Sequence, residues 1–168
     1  MKSIFKLLVA AFLTVAPLTV IAQSNVAHIN VQQLISEMPE VIAAQNELAK
    51  LEKDYTTQID NAFKEFQTKA QSYSSDAANQ TDITNQARQK ELESMQTNLQ
   101  EFRDSAAQEL QKKQMDLMTP LLEKARNAIT KVGEAQGFNY VIDSSPNGGI
   151  ILANGKDLLA DVKKELGF

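Results

Sequence analysis

Apolar and polar positions alternate along most of this chain in the pattern of two long amphipathic helices. From Glu40 to Tyr73 apolar residues recur at alternating steps of three and four, with no Gly or Pro between them. A second stretch, from about Ile83 to Ala135, has similar spacing. Such spacing is typical of a coiled-coil seam, in which the apolar stripe of each helix faces a partner.

The polar stretch from Ser74 to Asp82 predicts a turn between these two helices. Thr81 or Asp82 can cap the second helix, because both side chains accept hydrogen bonds from free backbone N–H groups. The two helices are therefore predicted to form an antiparallel hairpin with its tip near residue 78.

Facing positions in this hairpin follow from the position of the tip. Leu51 is predicted beside Ala106, and Tyr55 beside Phe102 or Leu99. At this level each seam has two successive steps of four, a stutter that locally unwinds a supercoil. Matching stutters support the pairing of the two helices.

Two prolines mark a neck where the hairpin leaves the rest of the chain. Pro39 fits the first turn of a helix, where a missing N–H does no harm. Pro120 lies inside the second helical pattern, where proline costs roughly 3 kcal/mol and produces a kink. The predicted hairpin spans residues 39–120, and Pro39 and Pro120 are its predicted hinge.

Residues 23–38 and 121–168 predict a small α/β body. The fold class is therefore mainly α, with a small β base and a long projecting hairpin. Its predicted elements are a strand Val26–Val31, a short helix Gln32–Met38, strands Asn139–Asp143 and Gly149–Ala153, and a last helix that Asp157 caps.

This body is too small to be robust alone. A unit of roughly 60 residues buries too little surface, and its three strands leave edges unpaired. We expect the body to oligomerise, with strand edges pairing between subunits. The alternative is a marginal monomer that the helices of the neck stabilise.

The first 22 residues have the pattern of a secretory signal peptide. Lys2 and Lys6 precede an apolar run, and small residues lead to predicted cleavage between Ala22 and Gln23. The alternative is a membrane anchor, but a run of about 15 residues is short for a bilayer span. We expect export from the cytoplasm with no stable membrane insertion.

Charge and composition narrow the class of partner. The net charge is −4, and the sequence contains no Cys. Residues 40–119 carry 14 acidic and 9 basic side chains. Nucleic acid is not expected as a partner, because phosphate binding needs a basic face.

Little in the sequence predicts catalysis. His28 is the only histidine, so we expect no metal site and no serine–histidine triad. Residues 148–156 faintly resemble a phosphate-binding loop, but Ile150 replaces its first glycine and Asp157 its Ser or Thr. We expect no enzyme activity and no cofactor.

Methionine and phenylalanine side chains are the candidates for contact with other molecules. Met38, Met115 and Met118 are predicted to cluster at the neck, where deformable side chains suit promiscuous apolar contact. Gap-filling beside the prolines is the alternative. Phe63 and Phe66 are further candidates for contact with other molecules, and ordinary seam packing is their alternative.

Three stretches together resemble the Skp/OmpH family of periplasmic chaperones. They are residues 27–55, residues 135–145 and residues 149–166. The resemblance implies a homotrimer in which a β-structured body holds three helical hairpins around a cavity. It also implies an ATP-independent holdase that binds unfolded outer-membrane proteins and serves outer-membrane protein biogenesis.

The charge of the helical arms differs from that of the family, and a second function is also possible for such a chain. Well-studied members have basic arms, whereas these arms are acidic and the stretch 74–82 has two Asp and no base. Binding here is therefore expected to depend more on apolar contact and enclosure. The alternative function is a structural or adaptor coiled coil of the cell envelope.

Overall fold

The computed structural model describes residues 25–146 and 148–168. The predicted signal peptide and the cleavage point between Ala22 and Gln23 lie outside these residues. The elements in chain order are β1 (Val26–Ile29), α1 (Val31–Glu37), α2 (Pro39–Asp76), a 3₁₀ turn (Ala77–Asn79), α3 (Asp82–Ala135), β2 (Tyr140–Asp143), β3 (Lys156–Asp157) and α4 (Leu159–Leu166).

Helices α2 and α3 form the predicted antiparallel hairpin. Helix α2 has 38 residues and begins at Pro39, which occupies its first turn. The side chain of Thr81 caps α3 by accepting a hydrogen bond from the backbone N–H of Thr84 at 3.2 Å. At about 1.5 Å per residue, α2 is about 57 Å long. The fold class predicted from the sequence, mainly α with a long hairpin and a small β base, is confirmed.

The pairing of the two helices differs partly from the prediction. The rings of Tyr55 and Phe102 meet edge to face with centroids 6.0 Å apart, as predicted. However, Lys113 pairs with Glu47 at 2.7 Å, about one helical turn away from the predicted register. Helix α2 continues through Asp76, beyond its predicted end at Tyr73, and the 3₁₀ turn Ala77–Asn79 contains residue 78, the predicted tip.

The body contains a three-stranded parallel sheet in the order β2-β1-β3. The predicted strand Gly149–Ala153 is wrong, because the third strand consists of Lys156–Asp157. Both sides of the central strand β1 are occupied by β2 and β3, so only the outer edges of β2 and β3 could pair with this segment, and it pairs with neither. Residues 149–153, called the apolar segment below, therefore remain outside the sheet.

The end of α3 is fixed by a Schellman motif. Gly137 has φ +74°, and its N–H donates to the carbonyl of Glu134, while Phe138 donates to the carbonyl of Gly133. Gly133 also lets α3 approach the sheet closely, since a Cβ there would lie 2.8 Å from a methyl carbon of Val141. The predicted end of the second helix at Gly137 is confirmed.

The hydrophobic core lies in the body, where helices α1 to α4 meet the sheet. The predicted apolar stripe of α4 contributes to it, with Leu158 and Val162 fully buried. Asp157 accepts a hydrogen bond from the N–H of Leu159, but the N-cap residue of α4 is Leu158, one position after the predicted cap. The core consists of Ala27, Ile29, Leu34, Met38, Val41, Ala125, Ala128, Val132, Leu158 and Val162.

Candidate functional site

The methionines of the neck do not form one exposed cluster. Met38 is fully buried in the core, which corrects the prediction that it contacts a client and agrees with the gap-filling alternative. Met118 is partly buried against the same core, whereas Met115 is 55% exposed. Of these three methionines, only Met115 thus offers an open apolar surface.

The two prolines lie at one end of the hairpin, as predicted. Pro39 begins α2, and Pro120 lies inside α3 without ending it. Lys124 pairs with Glu40 at 2.5 Å, so the two helices face each other beside both prolines. Because Pro120 has no N–H, one intrahelical hydrogen bond is missing at this level. The hinge role stays a prediction.

Phe63 and Phe66 form an aromatic pair midway along the hairpin. Their rings stack with centroids 6.5 Å apart and an angle of 21° between their planes. Phe63 is 40% exposed. Together with Leu99 and Arg103, the two rings line a shallow groove of about 580 Å³. Polar side chains, those of Glu93, Gln96, Thr97 and Gln100, complete the lining of this groove.

The seam is also open in a second groove of the hairpin. This groove has about 470 Å³ and is lined by Ala62, Met95, Leu99 and Phe102, with polar side chains at its margin. Leu99 contributes to both grooves. A pair of helices covers its apolar seam only from two sides. The side chains of the seam therefore remain accessible on the sides where α2 and α3 do not cover each other.

A polar cluster fixes the hairpin near its tip. The guanidinium of Arg88 lies 4.7 Å from the ring centroid of Tyr73 and bonds Asp76 at 3.1 Å. Tyr73 donates its hydroxyl hydrogen to Glu91 at 2.7 Å, and Lys69 donates to the other oxygen of Glu91 at 2.6 Å. The acidic stretch 74–82 therefore has a basic neighbour that the sequence analysis missed.

These contacts change the acidity of the groups involved. The hydrogen bond from Arg88, followed by that from Asn79, lowers the pKa of Asp76 below its usual range. The hydrogen bond from Lys69, followed by that from Tyr73, lowers the pKa of Glu91. The same bond to Glu91 raises the pKa of Tyr73. The cluster is thus most favourable when both carboxylates are charged.

The apolar segment is the most exposed hydrophobic stretch of the body. Ile151 is fully exposed and Leu152 is 75% exposed. Strand β2 lies at one edge of the sheet, and its Tyr140 and Ile142 are 62% and 39% exposed. An apolar stretch and an unpaired strand edge are features that other chains cover in stable proteins.

The body also contains a concave surface. It has about 700 Å³ and lies between α1, α3 and the outer edge of β2. Ile35, Leu122, Ile129 and Val141 give it an apolar floor, and Arg126, Glu134 and Asp143 are also in its lining. It lies beside the free edge of β2, so a strand from another chain could cover both.

Within the part of the chain that the structure describes, we find neither a membrane-spanning helix nor a metal site. None of its helices has the length and apolarity that a bilayer crossing requires. No group of three or more His, Asp or Glu side chains in these residues is arranged to hold a metal ion. The accessible features are apolar grooves and an unpaired sheet edge.

A long helical hairpin on a small parallel-sheet body defines a class of proteins with projecting coiled-coil arms. Residues 25–166 match the sequence model of the family described as outer membrane protein (OmpH-like). The chain belongs to the OmpH-like family, a family of outer membrane chaperones, which confirms the resemblance found in the sequence.

One relative and one solved structure illustrate this membership. The chain is 26% identical over 148 residues to the chaperone protein Skp of Yersinia enterocolitica, covering 85% of this chain and 86% of that protein. It superimposes on an OmpH-like outer membrane chaperone from Caulobacter crescentus with a TM-score of 0.77. That match has 13% sequence identity and covers 86% of this chain and 85% of the other.

Proposed function

We propose that this chain is a periplasmic holdase that binds unfolded outer-membrane proteins without ATP and prevents their aggregation. The observation that carries the proposal is the open seam of the hairpin. Within residues 45–119, all of which the structure describes, Ala106 is the only buried hydrophobic residue. Membership in a chaperone family and the pattern of an export signal support the same function.

The proposed mechanism combines weak contacts with enclosure. An unfolded client exposes strands and apolar side chains that aggregate when two clients meet. The grooves beside Phe63 and Leu99 each offer a small apolar contact. Several such contacts on one client add through multivalency, and none needs to be strong. Flexing at Pro39 and Pro120 would adjust the space to clients of different sizes.

Enclosure requires several hairpins, and the exposed surfaces of the body supply a means to assemble them. The proposed assembly is a homotrimer in which the apolar segment of one copy covers the edge of β2 in the next. A contact of this kind between two different surfaces closes into a ring when the rotation is that of a trimer. It would bury Ile151 and Leu152, which a single chain leaves exposed.

The acidic charge of the hairpin has a consequence for binding. With 14 acidic and 9 basic side chains in residues 40–119, long-range attraction to acidic clients or anionic lipids is not expected. Apolar burial depends little on ionic strength, whereas attraction between charges weakens with salt. Client capture should therefore persist at high salt.

The test is dilution of an unfolded outer-membrane β-barrel protein from denaturant into buffer, with and without the purified mature chain. The proposal predicts strongly reduced light scattering at an equal number of trimers and clients, without ATP and at both low and high salt. Equal scattering with and without the chain would remove the holdase function.

A structural or adaptor protein of the cell envelope is the second candidate. The ordered cluster around Arg88 and the 81% exposed Ile83 at the tip would suit one defined partner. An adaptor predicts one specific partner and no suppression of aggregation. The dilution experiment therefore separates the two functions.

A further inference from the structure

The single histidine of the chain connects the two ends of the link between β2 and β3. His28 lies in the central strand β1, paired with Ile142 on one side and Asp157 on the other. Its Nδ1 is 3.3 Å from the hydroxyl oxygen of Ser144, and its Nε2 is 3.1 Å from the carbonyl oxygen of Gly155. Ser144 directly follows β2, and Gly155 directly precedes β3.

The atoms that the imidazole contacts define which ring nitrogen donates a hydrogen bond and which accepts one. A carbonyl oxygen only accepts, so Nε2 must carry a hydrogen and donate it to Gly155. In the neutral ring Nδ1 then accepts, and the Ser144 hydroxyl donates to it. A purely apolar side chain makes neither bond. One side chain thus joins two points that are 11 positions apart in the sequence.

The link needs such an anchor because little else fixes its second end. Strand β3 contributes only two residues to the sheet, Lys156 and Asp157. The link also contains adjacent glycines, and Gly149 adopts φ +74°. Glycine leaves the backbone many conformations, so an unanchored link would present the apolar segment in many positions.

Close packing at Gly155 supports the same arrangement. A Cβ at Gly155 would lie 2.8 Å from the carbonyl oxygen of Val26, so the backbone there is pressed against β1. The Nε2 bond to the Gly155 carbonyl is therefore made where the link touches the central strand. It extends the two-residue pairing of β3 toward the apolar segment.

We propose that His28 is a positioning residue for self-association, which holds the apolar segment where a second copy of this chain can bind it. The proposal rests on the proposed assembly of the holdase. In this proposal the role of the histidine is to anchor the link between β2 and β3, not to bind a metal or to catalyse a reaction. The occupant of the apolar segment is a second copy, because the complementary surface, the free edge of β2, lies on the same body.

The test compares His28→Leu, His28→Gln and Ser144→Ala with the wild-type chain by hydrogen exchange and by sedimentation across a range of concentrations. Because His28→Leu removes both bonds, amides of residues 150–157 should exchange about tenfold faster and self-association should weaken about tenfold. His28→Gln keeps a donor for Gly155 and should recover part of both effects. Ser144→Ala removes only the bond to Nδ1 and should have a smaller effect than His28→Leu.

Val26→Ala is the matched control, because Val26 lies on the same face of β1 and is 36% exposed. It should leave exchange in residues 150–157 near the wild-type rate. Equal exchange and equal association in His28→Leu and wild type would overturn the proposal, as would equal effects of His28→Leu and Val26→Ala. A monomeric wild-type chain would instead reject the proposed assembly, and the exchange rates would still decide whether His28 anchors the link.

Discussion

The body and the hairpin of this chain are built from similar apolar residues but bury them very differently. In the body, Ile29, Leu34 and Leu158 are at most 1% exposed. Along the hairpin, Leu99 and Phe102 face the partner helix and remain partly exposed. The body closes a core because helices and a sheet surround it, whereas two helices leave a seam open on both sides.

This difference assigns the stability of the fold mainly to the body and the binding of other chains mainly to the hairpin. Free energy of folding scales with apolar area removed from water, so most of it comes from the body. The hairpin keeps apolar area accessible, and that area is available to bind other chains. The following predictions test this division, beginning with the largest expected effect.

Truncation of a body leucine should destabilise the chain far more than truncation of a seam leucine. Leu34→Ala removes a fully buried side chain and should lower the free energy of unfolding by about 2–5 kcal/mol. Leu99→Ala, its matched control in the hairpin, should lower it by only about 1 kcal/mol because the site is partly open to water. Chemical denaturation followed by circular dichroism measures both. Equal losses would contradict the division.

Changing the aromatic pair should weaken client binding while leaving the stability of the chain almost unchanged. Replacing Phe63 and Phe66 together by Ser should reduce suppression of client aggregation severalfold, since it removes the lining of one groove. The melting temperature should change little, because Phe63 is 40% exposed. Light scattering during client dilution provides the measurement.

Ile83→Ser is the control for this change, because Ile83 is an exposed apolar residue at the tip. It should leave holdase capacity close to that of the wild type. If the tip substitution reduces capacity as much as the aromatic pair does, the mid-hairpin grooves are not the principal contact.

The cluster near the tip should make hairpin stability sensitive to acid. The pKa of Asp76 is lowered from 3.8, chiefly by Arg88, so its stabilising contribution is fully present above pH 3.8. It is lost as the pH falls through the still lower pKa of the folded state. The difference in melting temperature between wild type and Asp76→Asn should therefore be constant near neutral pH and shrink below pH 3.8.

Asp60→Asn, at an exposed position of α2, serves as the control. It should differ from the wild type by less than Asp76→Asn at neutral pH. A difference for Asp76→Asn that grew as the pH fell would contradict the role of the charged carboxylate.

The smallest effect is expected from an ion pair on the surface of the hairpin. Glu47→Gln removes the partner of Lys113, whose side chain is 39% exposed. Such pairs contribute about 0–1 kcal/mol, and salt screens them further. Chemical denaturation at low and high salt should show a difference that is small and disappears with salt. A larger, salt-independent loss would indicate that the hairpin depends on its charges.

Local signals in the sequence were enough to predict the hairpin. The cap at Thr81, the glycine at position 137 and Pro39 in a first turn each act through neighbouring backbone groups, so their positions follow from sequence alone. The end of α2 was predicted at Tyr73 instead of Asp76, because the exact end of this helix depends on how the tip packs. Arg88, stacked on Tyr73, comes from the opposite helix and carries no local signal.

The body was harder to predict because its contacts join distant parts of the chain. Residues 149–153 have the composition of a strand, but strand pairing involves neighbours distant in the sequence, and these residues pair with no strand although one edge of β2 is free. The burial of Met38 and the two bonds of His28 likewise involve residues far apart in sequence. Contact of Met115, Phe63 and Phe66 with clients stays a prediction. Exposure of a side chain allows such contact, but only a binding measurement shows that it occurs.

Small-angle X-ray scattering of the mature chain, combined with its mass in solution, tests the central claim most directly. The account predicts three times the mass of one chain and a maximum dimension larger than the hairpin length of about 57 Å. Its scattering profile should be that of an open particle with a central cavity. A particle with the mass of one chain and a compact, globular profile would contradict the account.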